Sequence, residues 1–246
     1  MNYLKKKFII LLYHKIGKYP ENAKFPGLYV TEENFDKQIK YLKNKGYVFL
    51  TLSRMKQIYD NNTDNNYKND KFVSITFDDG SRSIYSKGLK IIKDNNVNAT
   101  VFMVSDMIGG INAWDIKNGE NKDEMLNLAE LQEMIKSGIE MGAHTKIHPH
   151  LTMIPEKLAY EEISASKKIL EEKLNININF FAYPYGDYNE NIKNLVEKAG
   201  FQGACITKTG IVKDNTDFFA LRRIAIRHNT DFFKFKRKIF KVKYFY

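Results

Sequence analysis

The stretch KFVSITFDDG (71–80) runs an apolar segment into two adjacent carboxylates and a glycine. Val73, Ile75 and Thr76 are β-branched and Phe72 and Phe77 are aromatic, the residue types that fit a strand. Asp79-Gly80 is a strong turn signal, so the strand ends at Phe77. A turn accounts for the DDG by itself. The preceding strand makes it more, because it sets Asp78 and Asp79 at a strand's C-terminal end. Adjacent strand residues face opposite ways, but where the chain bends both carboxylates can reach one pocket.

The pattern repeats on both sides. Upstream, FIILLY (8–13) reads as a first strand ending at His14. TEENFDKQIKYLKNKG (31–46) reads as a helix: Thr31 caps it, Phe35, Ile39 and Leu42 share a face, and Gly46 ends it. YVFL (47–50) is a short strand, with a short helix capped by Ser53 and running to Tyr59, then a polar connection over 60–70. Downstream come a helix over 83–94, the strand ATVFMV (99–104) and an irregular stretch (105–126) holding the single tryptophan, Trp114. A helix (128–137), a strand (139–143), a long helix (155–174), the strand INFFAY (178–183), a helix (190–199) and the strand QGACI (202–206) complete the series. This alternation predicts one α/β domain over residues 1–246 with a mainly parallel sheet, open or closed into a barrel. His14, Asp78, Asp79, His144 and Tyr185 all follow strands, and ligands of such folds bind at the strands' C-terminal ends.

Composition removes several function classes. The one cysteine, Cys205, excludes an internal disulfide and a multi-cysteine zinc site. The apolar run after Lys5, Lys6 and Lys7 is short for a signal peptide, lacks a small-residue cleavage site and is too short to span a membrane, so the cytoplasm is the expected location. The net charge of +10 is spread along the chain with no nucleic-acid motif, and a nucleic-acid partner is not expected. The basic and aromatic tail KFKRKIFKVKYFY (234–246) has two readings. The favoured one is a last helix or strand with Phe235, Ile239 and Phe240 packed inward. The other is peripheral contact with an anionic membrane surface or a lipid-linked substrate.

Three of the five histidines fall in GAHTKIHPH (142–150). His144 and His148 have the i, i+4 spacing of helical metal motifs, but Pro149 disfavours helix at His148, so a shaped loop is expected. One Asp and two His match the three protein ligands of many zinc hydrolases, with a position left for water. His150 reads as a solvated or supporting residue. Such a set accepts zinc, and also nickel, cobalt, iron or manganese.

Taken together and in this order, TFDDG (76–80), HTxxHP (144–149) and YPYG (183–186) resemble the first three motifs of the polysaccharide deacetylases, the NodB-homology or carbohydrate esterase family 4 enzymes. The resemblance spans residues 8–206 and is strongest to the poly-N-acetylglucosamine deacetylase-like subgroup. It implies a distorted (β/α) barrel, circularly permuted in its strand order. It also implies roles: Asp78 as general base; Asp79, His144 and His148 as ligands of one divalent ion, zinc foremost; and the Tyr185 N–H as oxyanion donor, with Pro184 and Gly186 shaping its turn. Trp114 is expected either to stack on a sugar or to anchor its own loop.

Two positions depart from the family pattern. The arginine that opens the third motif in many members is Ala182 here, and no other residue stands out as its substitute. The general acid has two candidates. His14, in Leu-Tyr-His (12–14), matches the front-loaded motif of the exopolysaccharide subgroup. His228, in Ile-Arg-His (226–228), sits among Arg222, Arg223 and Arg227, where positive neighbours disfavour imidazolium. His14 is favoured. The expected activity is metal-dependent N-deacetylation of N-acetylated sugars in a polysaccharide, oligosaccharide or glycolipid. The alternatives are a deformylase or deacetylase of a lipid-linked monosaccharide and, from another class, a non-catalytic carbohydrate-binding relative. The latter has no need to keep Asp78, Asp79, His144 and His148 together.

Overall fold

The computed structural model describes residues 7–61 and 71–245. Most of the basic N-terminal start and of the polar connection over 60–70 therefore lies outside the described residues. The strands are β1 (Lys7–Tyr13), β2 (Lys15–Ile16), β3 (Tyr29–Val30), β4 (Val48–Phe49), β5 (Lys71–Phe77), β6 (Thr100–Met103), β7 (Glu140–Ala143), β8 (Phe180–Ala182), β9 (Gly203–Cys205) and β10 (Ile224–Ala225). The helices are α1 (Glu32–Asn44), α2 (Leu52–Asn61), α3 (Leu89–Asp94), α4 (Ala113–Ile116), α5 (Leu128–Lys136), α6 (Glu156–Leu174), α7 (Glu190–Lys198) and α8 (Phe232–Phe245). None of the helices among the described residues is long and apolar enough to cross a membrane.

The main sheet has the order β10-β1-β5-β6-β7-β8-β9, with β4 pairing beside β5, and its pairings are parallel. It curls until its ends meet. The segment Leu221–Ala225 bonds to β9 on one side, where Leu221 N–H donates to Ala204 O at 2.8 Å and Ile206 N–H to Leu221 O at 2.9 Å. On the other side it bonds to β1, where Ile226 N–H donates to Leu12 O at 2.9 Å. Closure removes both free edges of a sheet that would otherwise expose unpaired backbone groups.

Because successive strand residues face opposite ways, the closed sheet sorts its side chains into two cores. Ile9, Leu11 and Tyr13 of β1 join Val73, Ile75 and Phe77 of β5 in the layer beneath the helices, with Phe35, Ile39 and Leu42 of α1. Phe8 and Ile10 point the other way, into the barrel, with Phe72, Phe102, Phe180, Cys205 and Leu221. Burial on both faces explains why these strands read as continuous apolar runs.

Helix α2 closes the barrel floor. The N–H groups of Leu52 and Ser53 donate to the Glu140 carboxylate at 2.8 and 3.1 Å, and the Thr100 hydroxyl adds a bond of 2.6 Å. A carboxylate at a helix N-terminus satisfies N–H groups that have no partner within the helix. The cap of α2 is Thr51, whose hydroxyl accepts from Arg54 N–H at 3.2 Å. This corrects the expectation for Ser53, whose hydroxyl is taken by Glu140 instead. The tail forms α8, with Phe235 and Ile239 buried as expected. Phe240 is exposed, a second correction: it falls off the stripe that Phe235, Ile239 and Val242 share.

Gly142 on β7 makes room for the barrel core. A Cβ there would meet the Phe102 ring at 2.5 Å and the Phe180 carbonyl at 2.9 Å. Gly142→Ala should lower stability by roughly 1–3 kcal/mol through overpacking, read as a lower urea midpoint at unchanged slope. An unchanged midpoint would contradict the tight ring packing.

Candidate active site

The sequence-predicted residues gather at the C-terminal ends of the strands. Asp78 continues the ladder beyond β5, its N–H donating to Tyr13 O at 3.0 Å. Asp79 then turns into the left-handed region at φ 72, and Gly80 follows at φ 80. That reversal brings two adjacent carboxylates to one pocket. Gly80 is required twice over, since a Cβ there would lie 2.2 Å from the Met103 sulfur.

After β7, His144 and His148 enter on a loop rather than a helix. Thr145 and His148 are both left-handed, at φ 65. The Thr145 hydroxyl accepts the His148 N–H at 2.9 Å, and Glu162 of α6 accepts the N–H groups of Lys146 and Ile147 at 2.9 and 3.1 Å. Tyr185, after β8, is left-handed at φ 60. Strained backbone of this kind persists where its surroundings fix it, at a cost of order 1 kcal/mol or more per residue.

Asp79, His144 and His148 form one buried cluster. Asp79 Oδ1 lies 3.4 Å from Nε2 of each histidine, and the three candidate ligand atoms fall within 4.8 Å of one another. Bonds of 2.0–2.2 Å at tetrahedral angles place ligand atoms about 3.4 Å apart, so the donor set fits a divalent ion such as zinc. His144 Nδ1 lies 2.7 Å from Ala182 O. A carbonyl only accepts, so Nδ1 carries the proton and Nε2 presents a lone pair toward Asp79, the arrangement usual for metal-ligating histidine.

Asp78 is held apart from that cluster by Arg223. The guanidinium donates to Asp78 Oδ1 at 2.6 Å and Oδ2 at 2.7 Å, and both residues are fully buried. Arg223 also donates to Ile206 O at 3.1 Å and to Thr76 Oγ1 at 3.1 Å. Burial by itself would raise the Asp78 carboxyl; the guanidinium outweighs it and holds the group below the ordinary carboxylate range. Ala182 stands where many family members carry an arginine, and no neighbouring motif residue takes its place. Arg223 makes the contact to Asp78 here, reaching it from the segment that closes the barrel. A signal was present in LRRIAI (221–226): period-two alternation puts Arg223 on the inward face with Leu221, opposite Ile224 and Ile226.

The two candidate acids separate. His14 lines a cavity of about 580 Å³ together with Tyr185, Thr207 and Asp115. Burial lowers its pKa below the ordinary histidine value, opposed by the nearby charges of Asp79 and Asp78. His228 packs edge-on against Tyr19, with ring centroids 5.3 Å apart, and lines a different hollow with Gly17 and Thr31.

Gly186 (φ 72) has Thr207 against it, where a Cβ would meet the hydroxyl at 2.1 Å, and Pro184 is buried. The Tyr185 ring is 42 % exposed and stacks on His150 at 3.8 Å. His150 thus stands outside the Asp/His/His cluster. Trp114 is only 7 % exposed and stacks on His148 at 4.7 Å and 24°. Of its two expected readings, this burial favours the anchoring one: the ring packs against a cluster imidazole.

Comparison with known proteins agrees with this architecture. Residues 65–204 match the polysaccharide deacetylase family. The Bacillus subtilis protein YxkH is 28% identical over 220 residues, 89% of this chain and 71% of that protein. A Staphylococcus aureus poly-beta-1,6-N-acetyl-D-glucosamine N-deacetylase is 25% identical over 90% of this chain and 80% of its own length. Among solved structures, the Streptococcus pyogenes deacetylase PplD, in complex with acetate, superposes with a TM-score of 0.80 at 26% identity, covering 96% of this chain and 99% of that one. The chain belongs to the polysaccharide deacetylase family, and its fold is the distorted (β/α) barrel expected for it.

Removing one half of the buried pair leaves a bare charge in the barrel. Arg223→Ala should cost roughly 3–5 kcal/mol, while the double variant Asp78→Ala/Arg223→Ala should recover part of that loss. Denaturant midpoints of the four proteins test this as a double-mutant cycle. Additive losses would show that the pair is uncoupled.

Proposed function

We propose that the protein is a metal-dependent N-deacetylase of N-acetylated glycans, acting on N-acetylhexosamine units. The observation that carries the reading is the pairing of a buried Asp79–His144–His148 donor set with a separate carboxylate, Asp78, kept ionised by Arg223. A ligand set alone suits a structural ion. An additional charged base beside it suits hydrolysis.

Asp79, His144 and His148 would hold the ion, and zinc suits the donors best. A divalent ion there supplies Lewis-acid polarisation of the acetamide carbonyl and a more acidic water. This chain's residues do the rest. Asp78 takes the proton from the attacking water, and its Arg223 partner keeps it charged and aimed. The Tyr185 N–H donates to the oxyanion that develops on the acetyl carbon's oxygen. His14 gives a proton to the departing amine, so that the C–N bond breaks to free acetate and the glycan amine. The similarity to the poly-beta-1,6-N-acetyl-D-glucosamine N-deacetylase supports N-acetylglucosamine as the unit attacked.

Acetate release from N-acetylglucosamine oligomers tests the reading. Wild-type protein should release acetate, a chelator should stop it and added divalent ion should restore it. Asp78→Asn should lower kcat by at least about a hundredfold, the scale of general base loss. No acetate from N-acetylated oligomers or glycolipids under any metal condition would favour a binding protein instead.

The acid assignment has its own test. His14→Ala should lower kcat by about a hundredfold or more, while His228→Ala should change it less than about twofold. The reverse order would move the role to His228.

A further inference from the structure

Beside His14, the cavity opens to solvent under a basic lip. Its wall is the segment Phe25–Leu28, with Lys24 at one end and Arg227 facing it. Arg227 lies along this wall, since a Cβ on Gly27 would fall 3.8 Å from its Cδ. Both cations are exposed. Among the described residues, no carboxylate pairs with either. The helix lysines differ: Lys37, Lys40, Lys56 and Lys90 each have an acid one turn away, at 2.6–2.8 Å. Two positive charges thus stand at the mouth of this cavity without a carboxylate partner among the described residues.

Two further features sharpen the site. Lys238 donates to Ala225 O at 2.7 Å, and burial followed by the charge of Arg227 holds its ammonium below the ordinary value. The charge of Arg227 thus reaches its neighbour Lys238. The wall itself is fixed rather than loose: Glu120 accepts the Phe25 N–H at 2.5 Å, and Asn22 and Asn121 exchange amide bonds of 3.1 Å. The one carboxyl lining the cavity, Asp115, is 6 % exposed, and burial together with the charge of Asp79 pushes its pKa up to about 7, while Lys15 pairs with Asp123 at 3.2 Å. Its Oδ2 is buried and has no hydrogen-bond partner among the described residues, an unmet acceptor at the cavity wall that a hydroxyl donor would satisfy.

We propose that this cavity is a subsite for an anionic sugar substituent, a phosphate or a carboxylate, that Lys24 and Arg227 clamp while Asp115 accepts a neighbouring hydroxyl. The natural substrate is then a negatively charged glycan in which the acid group lies next to the N-acetylated unit. Arginine suits this task because its planar fork binds phosphate or carboxylate with two parallel bonds, and lysine adds a point charge. A cavity of about 580 Å³ is within the range of small-molecule sites. The proposal rests on the deacetylase reading for the identity of the substrate, but not for the binding of the anion.

The test compares three probes: N,N′-diacetylchitobiose as the neutral one, N-acetylglucosamine 1-phosphate, and an N-acetylglucosamine–glucuronate disaccharide. Binding is measured by calorimetry and turnover by acetate release, on wild type, Lys24→Gln/Arg227→Gln and Lys24→Glu/Arg227→Glu. Wild type should prefer at least one anion over the neutral sugar by about tenfold, a preference that shrinks with rising salt. The Gln pair should reduce that ratio to near one and the Glu pair should invert it. Preference for the phosphate alone identifies a phosphoester, and for the disaccharide alone a uronate. Equal binding of all three probes to wild type, or a preference that survives in the Glu pair, overturns the subsite. If no probe releases acetate yet the anion still binds tenfold tighter and loses that advantage in the variants, the subsite stands and the deacetylase reading falls.

Discussion

A guanidinium and a carboxylate face each other inside the barrel, and much of the structure is arranged around them. Desolvating two charges is costly, and the cost is offset only where geometry is close and the remaining donors are satisfied. Arg223 meets the first condition and, with four of its five N–H groups bonded, most of the second. Two of its bonds go to Asp78, one to a backbone carbonyl and one to the Thr76 hydroxyl. The residue sits on the segment that closes the sheet between β9 and β1. Barrel closure and the charge state of the candidate base are therefore the same structural event. A chain that failed to close there would leave Asp78 buried without a partner.

Around this pair, the site is built from left-handed residues. Asp79, Thr145, His148 and Tyr185 all have positive φ, and all are at strand ends or in the loops that follow. A regular strand cannot direct two neighbouring side chains to one pocket. The reversals do so, and the barrel fixes them: the Gly80 carbonyl accepts from Leu126 N–H, Thr145 O from Ser105 N–H, and Tyr185 O from the Thr207 hydroxyl. Trp114 does comparable work on the His148 ring, from the short helix α4 that lies outside the strand–helix alternation of the barrel.

Much of this was legible in the sequence. Strands with two buried faces read as apolar runs, and the alternation with helices implied the parallel barrel. Asp78, Asp79, His144, His148 and Tyr185 were legible because each lies in a short contiguous motif at a strand end. Arg223 was not, because its partner is distant in sequence and it lies just before a strand of only two residues, too short to announce itself. The misplaced cap has a similar cause. Thr51 and Ser53 are both capping residues, and only the distant Glu140 decides between them. Trp114 lay in a stretch with no periodicity, so its burial depended entirely on what the rest of the fold brought to it.

The central claim is that Asp79, His144 and His148 bind a divalent ion while Asp78 stays out of the ligand set. Anomalous X-ray diffraction from metal-loaded crystals tests it most directly. The account predicts one strong peak per chain, bonded to one Asp79 oxygen and to Nε2 of both histidines, with Asp78 still paired to Arg223. No peak at that cluster in the presence of zinc, or an ion bound by Asp78 with Arg223 displaced, would contradict it.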